Sequence, residues 1–225
     1  MSESPEDNRD ATPGQPGHQP AYSENARFYD RMTGAYQGFR RAIVDALPVR
    51  PGQVVLDVGC GTGLCFGLLL GKVAAEGSVI GIDESPDMVA MARERIEREG
   101  WRNVVLVESR AEDAEIALTA DAAIFCAVHD ILQSSAALRS VVDHLRPGAW
   151  VVAGGGKWAA PWMVAVNLHA MLLHTPYVRS LEGFRRPWHH LEPLLEDVHV
   201  HELALGSGYV MTGHVPGQPD PRVRP

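Results

Sequence analysis

The chain has 225 residues, of which 45% are hydrophobic, and carries a formal net charge of −8 with a pI near 5.6. This length and apolar content suffice for one sizeable domain. Nucleic-acid binding normally needs clustered Lys and Arg, so we expect no nucleic-acid partner. Cys60, Cys65 and Cys126 lie in apolar segments, where a thiol serves as a small hydrophobe, and we therefore expect a reducing, cytoplasmic setting.

The two ends of the chain differ in composition from its middle. Residues 1–20 and 216–225 are rich in Pro and in small or polar residues, which predicts disordered tails on either side of one domain at 21–215. The N-terminus has neither the basic start nor the apolar run of a signal peptide, so secretion is not expected.

Short apolar runs alternate with helical patterns through the first two thirds of the domain. The predicted strands are 54–58, 79–83, 104–108, 122–126 and 149–153, and the predicted helices between them are 63–70, 86–99 and 134–145. Right-handed crossovers then give a doubly wound α/β sheet, which binds its ligands beyond the carboxyl ends of its strands.

The flanking segments complete this architecture. Two predicted helices, 22–32 and 35–47, could fold over the mouth of the sheet as lids. Segments 198–205 and 208–212 could pair as an antiparallel edge, for a mostly parallel sheet of seven strands. The uncharged stretch 158–178 approaches the length of a membrane span, but its Pro, Asn and His residues argue against an integral membrane segment.

A glycine-rich loop follows the first predicted strand: Gly59-Cys60-Gly61-Thr62-Gly63. Its third glycine comes one residue earlier than in the fingerprint of a nicotinamide site. Asp57 would also face a phosphate with like charge, so it favours a ligand with a cationic end. S-adenosylmethionine has an ammonium and a sulfonium and no phosphate. A nicotinamide-dependent oxidoreductase remains the disfavoured alternative.

Asp83 closes the second predicted strand, about twenty residues beyond the loop. An acidic side chain at this place accepts hydrogen bonds from both hydroxyls of a ribose. The alternative interpretation is that Asp57 and Asp83 only cap turns or helices, since Asp is common at the ends of strands.

Residues 55–63 and 81–88 closely resemble the class I S-adenosylmethionine-dependent methyltransferases, and residues 145–148 are similar to that family too. The resemblance covers about residues 22–153 and is nearest to the ubiquinone-biosynthesis type. It implies a Rossmann-like fold with S-adenosylmethionine as cofactor. By this resemblance the backbone at Gly59 and Gly61 would hold the methionine part, Asp83 the ribose, and Glu84 and Met88 would surround the adenine. The further candidates for cofactor contacts are Asp57, Cys60, Gly63 and Cys126.

The chain departs from this family after the third predicted strand. Many relatives carry Asp-Ala there, whereas this chain has Ser109-Arg110-Ala111-Glu112. Arg110 cannot accept a hydrogen bond from an adenine amino group. Either the Ala111 backbone and a neighbour such as Glu112 take over the adenine, or the affinity for the cofactor is lower than usual. We expect Arg110 to be a solvated surface residue at this place.

His129 follows the fourth predicted strand and is the candidate for a general base. It could instead cap the next helix or line the cofactor pocket. Tyr22 and Tyr29 share one face of the first predicted helix and are candidates for a lid over the methyl group, or for simple packing. The other histidines show no metal-ligand pattern with Cys or carboxylates, so no metal is expected.

These observations predict methyl transfer to a small acceptor. The apolar residues of 158–178 exceed what one core face needs, so some could line an acceptor pocket or form a homodimer interface. We therefore expect a hydrophobic or aromatic acceptor that is quinone-like, lipid-like or a secondary metabolite. The alternative is a protein of this fold that binds the cofactor but catalyses a step other than methylation.

Overall fold

The computed structural model describes residues 36–175, 178–218 and 220–222. The predicted N-terminal tail and the predicted helix 22–32 lie outside the described residues. Tyr22 and Tyr29 belong to that helix, so their role as a lid stays a prediction.

A seven-stranded sheet forms the centre of the described chain, in the order β3-β2-β1-β4-β5-β7-β6. The strands are β1 Val54–Val58, β2 Ser78–Asp83, β3 Val104–Glu108, β4 Ala120–Cys126, β5 Leu145–Gly156, β6 Glu196–Leu203 and β7 Gly208–His214. The first five pair in parallel, which confirms the doubly wound, mostly parallel sheet. The antiparallel strand β7 is second from the edge, because it lies between β5 and β6 and pairs with both.

Six α-helices appear in the described residues: α1 Gln37–Asp45, α2 Phe66–Val73, α3 Pro86–Glu99, α4 His129–Leu132, α5 Ser135–Asp143 and α6 Val164–His174. Helix α3 has the predicted bounds, because Ser85 caps the Met88 amide and Gly100 ends the helix in the left-handed region. Helix α5 ends earlier than predicted. Its predicted last residue, Leu145, pairs with Ala120 and begins β5 instead.

The sheet is covered on both faces, as its continuous apolar strands require. One core cluster packs Ile43 of α1, Phe66 of α2 and Ala92 of α3 against the sheet. The other packs Leu138 of α5 and Trp188 of the segment before β6 against the opposite face.

Helix α6 has an apolar surface that the described residues leave largely uncovered. Ala170 is its buried residue, whereas Leu172 is 66% exposed and Trp162, just before the helix, is 82% exposed. Within the described ranges, no helix combines the length and the apolar character needed to cross a bilayer.

The C-terminal segment, predicted as a tail from residue 216, is described at 216–218 and 220–222. There Asp220 accepts a hydrogen bond from Arg50 at 3.0 Å. The boundary of the domain at residue 215 stays a prediction.

Candidate active site

The glycine loop lies at the carboxyl ends of β1 and β4, where the crossovers change direction and where such sheets bind ligands. Gly59 and Cys60 both donate their backbone amides to the Ile82 carbonyl, at 2.8 and 3.0 Å. Gly59 has a φ of 69°, and a Cβ there would come within 2.5 Å of the Val128 side chain. The loop therefore needs glycine at this position in order to pack between β2 and the chain after β4.

Asp83 fastens this loop to the end of β2. Its Oδ2 accepts the Gly61 amide at 2.8 Å and its Oδ1 accepts the Ser85 amide at 3.0 Å. Each carboxylate oxygen has two lone pairs, so each keeps one for a further donor. Burial raises the pKa of Asp83, against the opposing effect of these two amides.

Asp57 is buried beneath the loop, with 1% of its surface exposed. Burial and the neighbouring Asp83 raise its pKa to about 7, and Arg40 opposes this rise. Its Oδ2 has no hydrogen-bond partner among the described residues. A buried, unpartnered carboxylate oxygen is costly, and a cationic or donor group of a ligand would relieve that cost.

Arg40 is a site residue that the sequence analysis missed. It lies on α1, is 9% exposed, and lines the cavity that also contains Asp57. Its neighbours in sequence follow an ordinary helical pattern. One signal for it was present in the sequence: Arg40 lies on the same side of the helix as Ile43 and Val44, which are buried in the core.

A cavity of about 240 Å³ opens above Asp57 and Asp83. The structure brings most of the predicted cofactor residues to its wall: Asp57, Gly59, Cys60, Gly61, Asp83, Glu84, Met88, Arg110, Ala111, Glu112 and Cys126. Gly63 is not on this wall, which corrects its predicted contact. It turns the chain beneath the loop, and a Cβ there would come within 2.5 Å of the Phe66 ring.

One edge of this cavity carries an exposed ionic bridge. Arg179 pairs with Glu84 at 2.9 Å, and the Arg179 backbone amide donates to both carboxylate oxygens of Asp130 at 3.2 Å. The bridge joins the end of β2 to α4 across the cavity. Arg110 pairs with Glu112 on the same rim and is exposed, as expected.

A second cavity of about 70 Å³ adjoins the first. Arg40, Cys126, Ala127, Val128 and His129 line both cavities. The rest of the second cavity is mainly apolar or aromatic: Tyr36, Phe39, Leu132, Gly154, Gly155, Gly156, His174, Val178, Phe184, Pro187 and Tyr209. Eight of these eleven residues lie outside residues 22–153, the part of the chain that resembles the methyltransferases. The sequence indicated this cavity only through the apolar stretch 158–178, of which His174 and Val178 line it.

The wall between the two cavities has an unusual backbone. Ala127 adopts a φ of 60°, which is uncommon for a residue other than glycine. Its amide donates to the Gly154 carbonyl at 2.8 Å, and this bond joins the end of β4 to β5. The turn places His129 at the start of α4, within both cavity walls.

His129 is buried and has a defined tautomer. Its Nε2 lies 2.8 Å from the Glu182 carbonyl, which can only accept, so Nε2 carries the proton. Burial lowers the pKa of His129, so the ring is neutral near pH 7. Its Nδ1 therefore presents a lone pair, which has no partner among the described residues.

The apolar segment 158–178 contributes less to the second cavity than expected. Of its described residues, His174 and Val178 reach the wall, where the His174 ring lies 5.3 Å from that of Phe184. Trp162, just before α6, is exposed, and so are Leu168 and Leu172 on α6. Burial also lowers the pKa of His174. No cluster of three metal-ligating side chains occurs in the described part of the chain.

Comparison with known proteins matches residues 55–148 to the methyltransferase domain family. An aklanonic acid methyltransferase of Streptomyces sp. strain C5 is 36% identical over 41% of this chain and 42% of the relative. A ubiquinone/menaquinone biosynthesis C-methyltransferase of Legionella pneumophila is 31% identical over 55% of this chain and 52% of the relative. The chain thus spans about half the length of these relatives.

The fold agrees with this match. The crystal structure of a SAM-dependent methyltransferase from Aquifex aeolicus superposes with a TM-score of 0.59 at 18% identity, over 86% of this chain and 98% of that chain. These findings confirm the resemblance to methyltransferases that the sequence showed, and the cavity built on Asp57 and Asp83 agrees with it. Residues 55–148 belong to the methyltransferase domain family, and the described chain has the fold of a class I S-adenosylmethionine-dependent methyltransferase.

Proposed function

We propose that this chain transfers a methyl group from S-adenosylmethionine to a small, apolar or aromatic acceptor held in the second cavity. The observation that carries the proposal is the wall common to the two cavities, formed by Arg40 and residues 126–129. A ligand in the larger cavity and a ligand in the smaller one would meet at this wall. Methyl transfer requires that proximity, with water excluded.

The larger cavity fits the cofactor chemically. The unpartnered oxygen of Asp57 suits the ammonium of the methionine part, and the Arg40 guanidinium suits its carboxylate. The two spare lone pairs of Asp83 suit the ribose hydroxyls. The adenine would lie between Met88 and the backbone at Ala111. When bound, S-adenosylmethionine supplies a methyl group activated by its sulfonium.

His129 would accept the proton that the acceptor loses. Its Nε2 proton is committed to the Glu182 carbonyl, and its Nδ1 lone pair is left for a ligand. Because burial keeps the imidazole neutral, no proton has to leave Nδ1 before it acts. Phe184 packs edge-on at 5.1 Å between ring centroids and helps to fix the orientation of the His129 ring.

The acceptor class follows from the lining of the smaller cavity. Its aromatic and aliphatic side chains favour a planar or apolar molecule, and its volume of about 70 Å³ is less than a third of that of the cofactor cavity, about 240 Å³. The names of the two relatives, which mention aklanonic acid, ubiquinone and menaquinone, agree with an acceptor of the quinone or secondary-metabolite type.

Two measurements test the proposal in order. Calorimetry with S-adenosylhomocysteine should show binding, and its absence with folded protein would refute the cofactor site. Incubation with methyl-labelled S-adenosylmethionine and mixtures of quinols, phenols and fatty acids should then label an aromatic product. Cofactor consumption without transfer of label, or label on polyanionic acceptors alone, would refute the proposed function.

A further inference from the structure

Tyr209 is a buried side chain of the second cavity to which neither the fold nor the cofactor site assigns a role. It lies on β7, is 1% exposed, and its ring packs on Trp188 with 4.7 Å between centroids. Its hydroxyl has no hydrogen-bond partner among the described residues. A Cβ placed on Gly155 would lie 4.0 Å from this hydroxyl oxygen, and Gly155 forms part of the same cavity wall.

A buried hydroxyl without a partner is unfavourable, because it loses its hydrogen bonds to water and gains none. A phenylalanine would pack equally well against Trp188 without that cost. Burial, with a smaller effect of Cys126, raises the pKa of Tyr209 far above its usual range, so the group keeps its proton. Tyr209 is therefore a hydrogen-bond donor in the wall of the cavity, and its hydroxyl has no acceptor among the described residues.

The glycine run 154–156 keeps the cavity wall beside Tyr209 free of side chains. A Cβ at Gly154 would come within 2.5 Å of Ile43, and one at Gly156 within 2.2 Å of the His174 ring. At Gly155 the nearest atom would be 3.7 Å away, at Ala127, which is ordinary contact. Packing thus demands glycine at the two outer positions, whereas a Cβ at the middle one would be in ordinary contact with Ala127 and with the ring and hydroxyl of Tyr209.

We propose that Tyr209 binds an oxygen atom of a planar aromatic methyl acceptor, a phenol, quinol or ring carbonyl, by donating a hydrogen bond from its hydroxyl. This inference rests on the proposed function and deepens it, since it names the polar group by which the second cavity selects its ligand. Sites built to hydrogen-bond a ligand oxygen discriminate against analogues that lack it, because the buried donor is then left unpaired.

Titration of the chain with 1-naphthol and with naphthalene, after saturation with S-adenosylhomocysteine, tests the inference. The unsubstituted chain should bind 1-naphthol about tenfold more tightly than naphthalene, the range of one buried hydrogen bond. In Tyr209→Phe this preference should fall to about one, with the affinity for naphthalene unchanged. A preference that survives in Tyr209→Phe, or a parent chain that shows none or binds neither compound, would overturn the inference.

Two further measurements separate this role from a structural one. Without ligand, Tyr209→Phe should melt at or above the temperature of the parent chain, because the lost hydroxyl had no partner; a lower melting temperature would contradict the inference. Gly155→Ala should weaken 1-naphthol binding by tenfold or more while the affinity for S-adenosylhomocysteine is unchanged. Calorimetry with S-adenosylhomocysteine alone tests the cofactor site of the proposed function. If no binding is seen there, the proposed function fails, whereas the Tyr209 inference fails only on the comparison of 1-naphthol with naphthalene.

Discussion

The carboxylate of Asp83, at the end of β2, accepts a hydrogen bond of 2.8 Å from the backbone amide of Gly61, in the loop after β1. Together with the bonds from Gly59 and Cys60 to the Ile82 carbonyl, this bond joins the glycine loop after β1 to the end of β2. It also aims the spare lone pairs of Asp83 at the cavity. The residue proposed to hold the ribose is thus the residue that holds the loop.

Replacement of Asp83 by Ala removes both functions. We expect the affinity for S-adenosylhomocysteine to fall about 100-fold, since hydrogen bonds to a charged group each contribute about 1.5–3 kcal/mol. Calorimetry measures this loss. Asp87→Asn, an exposed acidic residue in the first turn of α3, is the matched control and should bind as the parent chain does. Equal affinities for the two variants would refute the assignment of Asp83.

The raised pKa of Asp57 predicts that cofactor affinity depends on pH. The ligand-free carboxyl has a pKa of about 7, and an ammonium ligand favours its ionised form. Affinity for S-adenosylhomocysteine should therefore rise about tenfold between pH 6 and pH 8, as the fraction of ionised Asp57 increases. Asp57→Asn should bind weakly with no such rise. A rise that persists in this variant would mean that another group titrates.

The same pKa predicts a stability effect of definite sign. Between pH 4 and pH 7 the folded chain keeps a proton on Asp57 that the unfolded chain, with a pKa near 3.8, has released. The contribution of Asp57 to stability is therefore fully present below pH 4 and lost as the pH rises to 7, by up to about 4 kcal/mol. Chemical denaturation at pH 5 and pH 8 should show a larger loss for the parent chain than for Asp57→Asn. A change of equal size in both would contradict this assignment.

The parts of the site that could be predicted from the sequence are contiguous motifs at the ends of strands. Asp57, the glycine loop and Asp83 follow apolar runs whose topology fixes where they meet. Gly63 belongs to the same motif, yet it turns away from the cavity because the Phe66 ring occupies the space beside it. A motif therefore locates the loop, and packing decides which of its residues face the ligand.

The acceptor cavity could not be predicted in this way. Arg40, His174 and Tyr209 come from α1, α6 and β7, and they meet only because β7 inserts beside β5. No local spacing encodes that pairing. The apolar pattern of 158–178 suggested cavity-lining residues there, but Val164, Leu168, Met171 and Leu172 are exposed on α6.

We expect the ion pair between Arg179 and Glu84 to make release of the cofactor slower than in a chain without this pair. Both side chains are exposed, so the pair adds little to stability, but it spans the rim of the cofactor cavity. Arg179→Ala should raise the dissociation rate of S-adenosylhomocysteine about threefold at low salt, and high salt should reduce the difference. Arg186→Ala breaks a similarly exposed pair with Glu192 and is the control. Equal dissociation rates for the two variants would refute a role of the bridge.

The tautomer of His129 predicts which substitution separates its structural and chemical roles. Glutamine can still donate an N–H to the Glu182 carbonyl, but its amide has no basic nitrogen that could take up a proton as Nδ1 does. His129→Gln should therefore lower kcat by about 100-fold or more and leave the affinity for S-adenosylhomocysteine within about threefold. Steady-state kinetics at saturating cofactor, beside calorimetry, makes the comparison.

The pH profile supplies an independent check on the same residue. Burial lowers the pKa of His129 below its usual 6.5, and protonation of Nδ1 would remove the lone pair. The rate at saturating cofactor and acceptor should thus stay level above pH 6.5 and fall only in more acidic solution. His129→Gln should lack that acidic limb. Unchanged turnover in His129→Gln would mean that the ring only lines the cavity and donates to the Glu182 carbonyl, and that the acceptor loses its proton to another group.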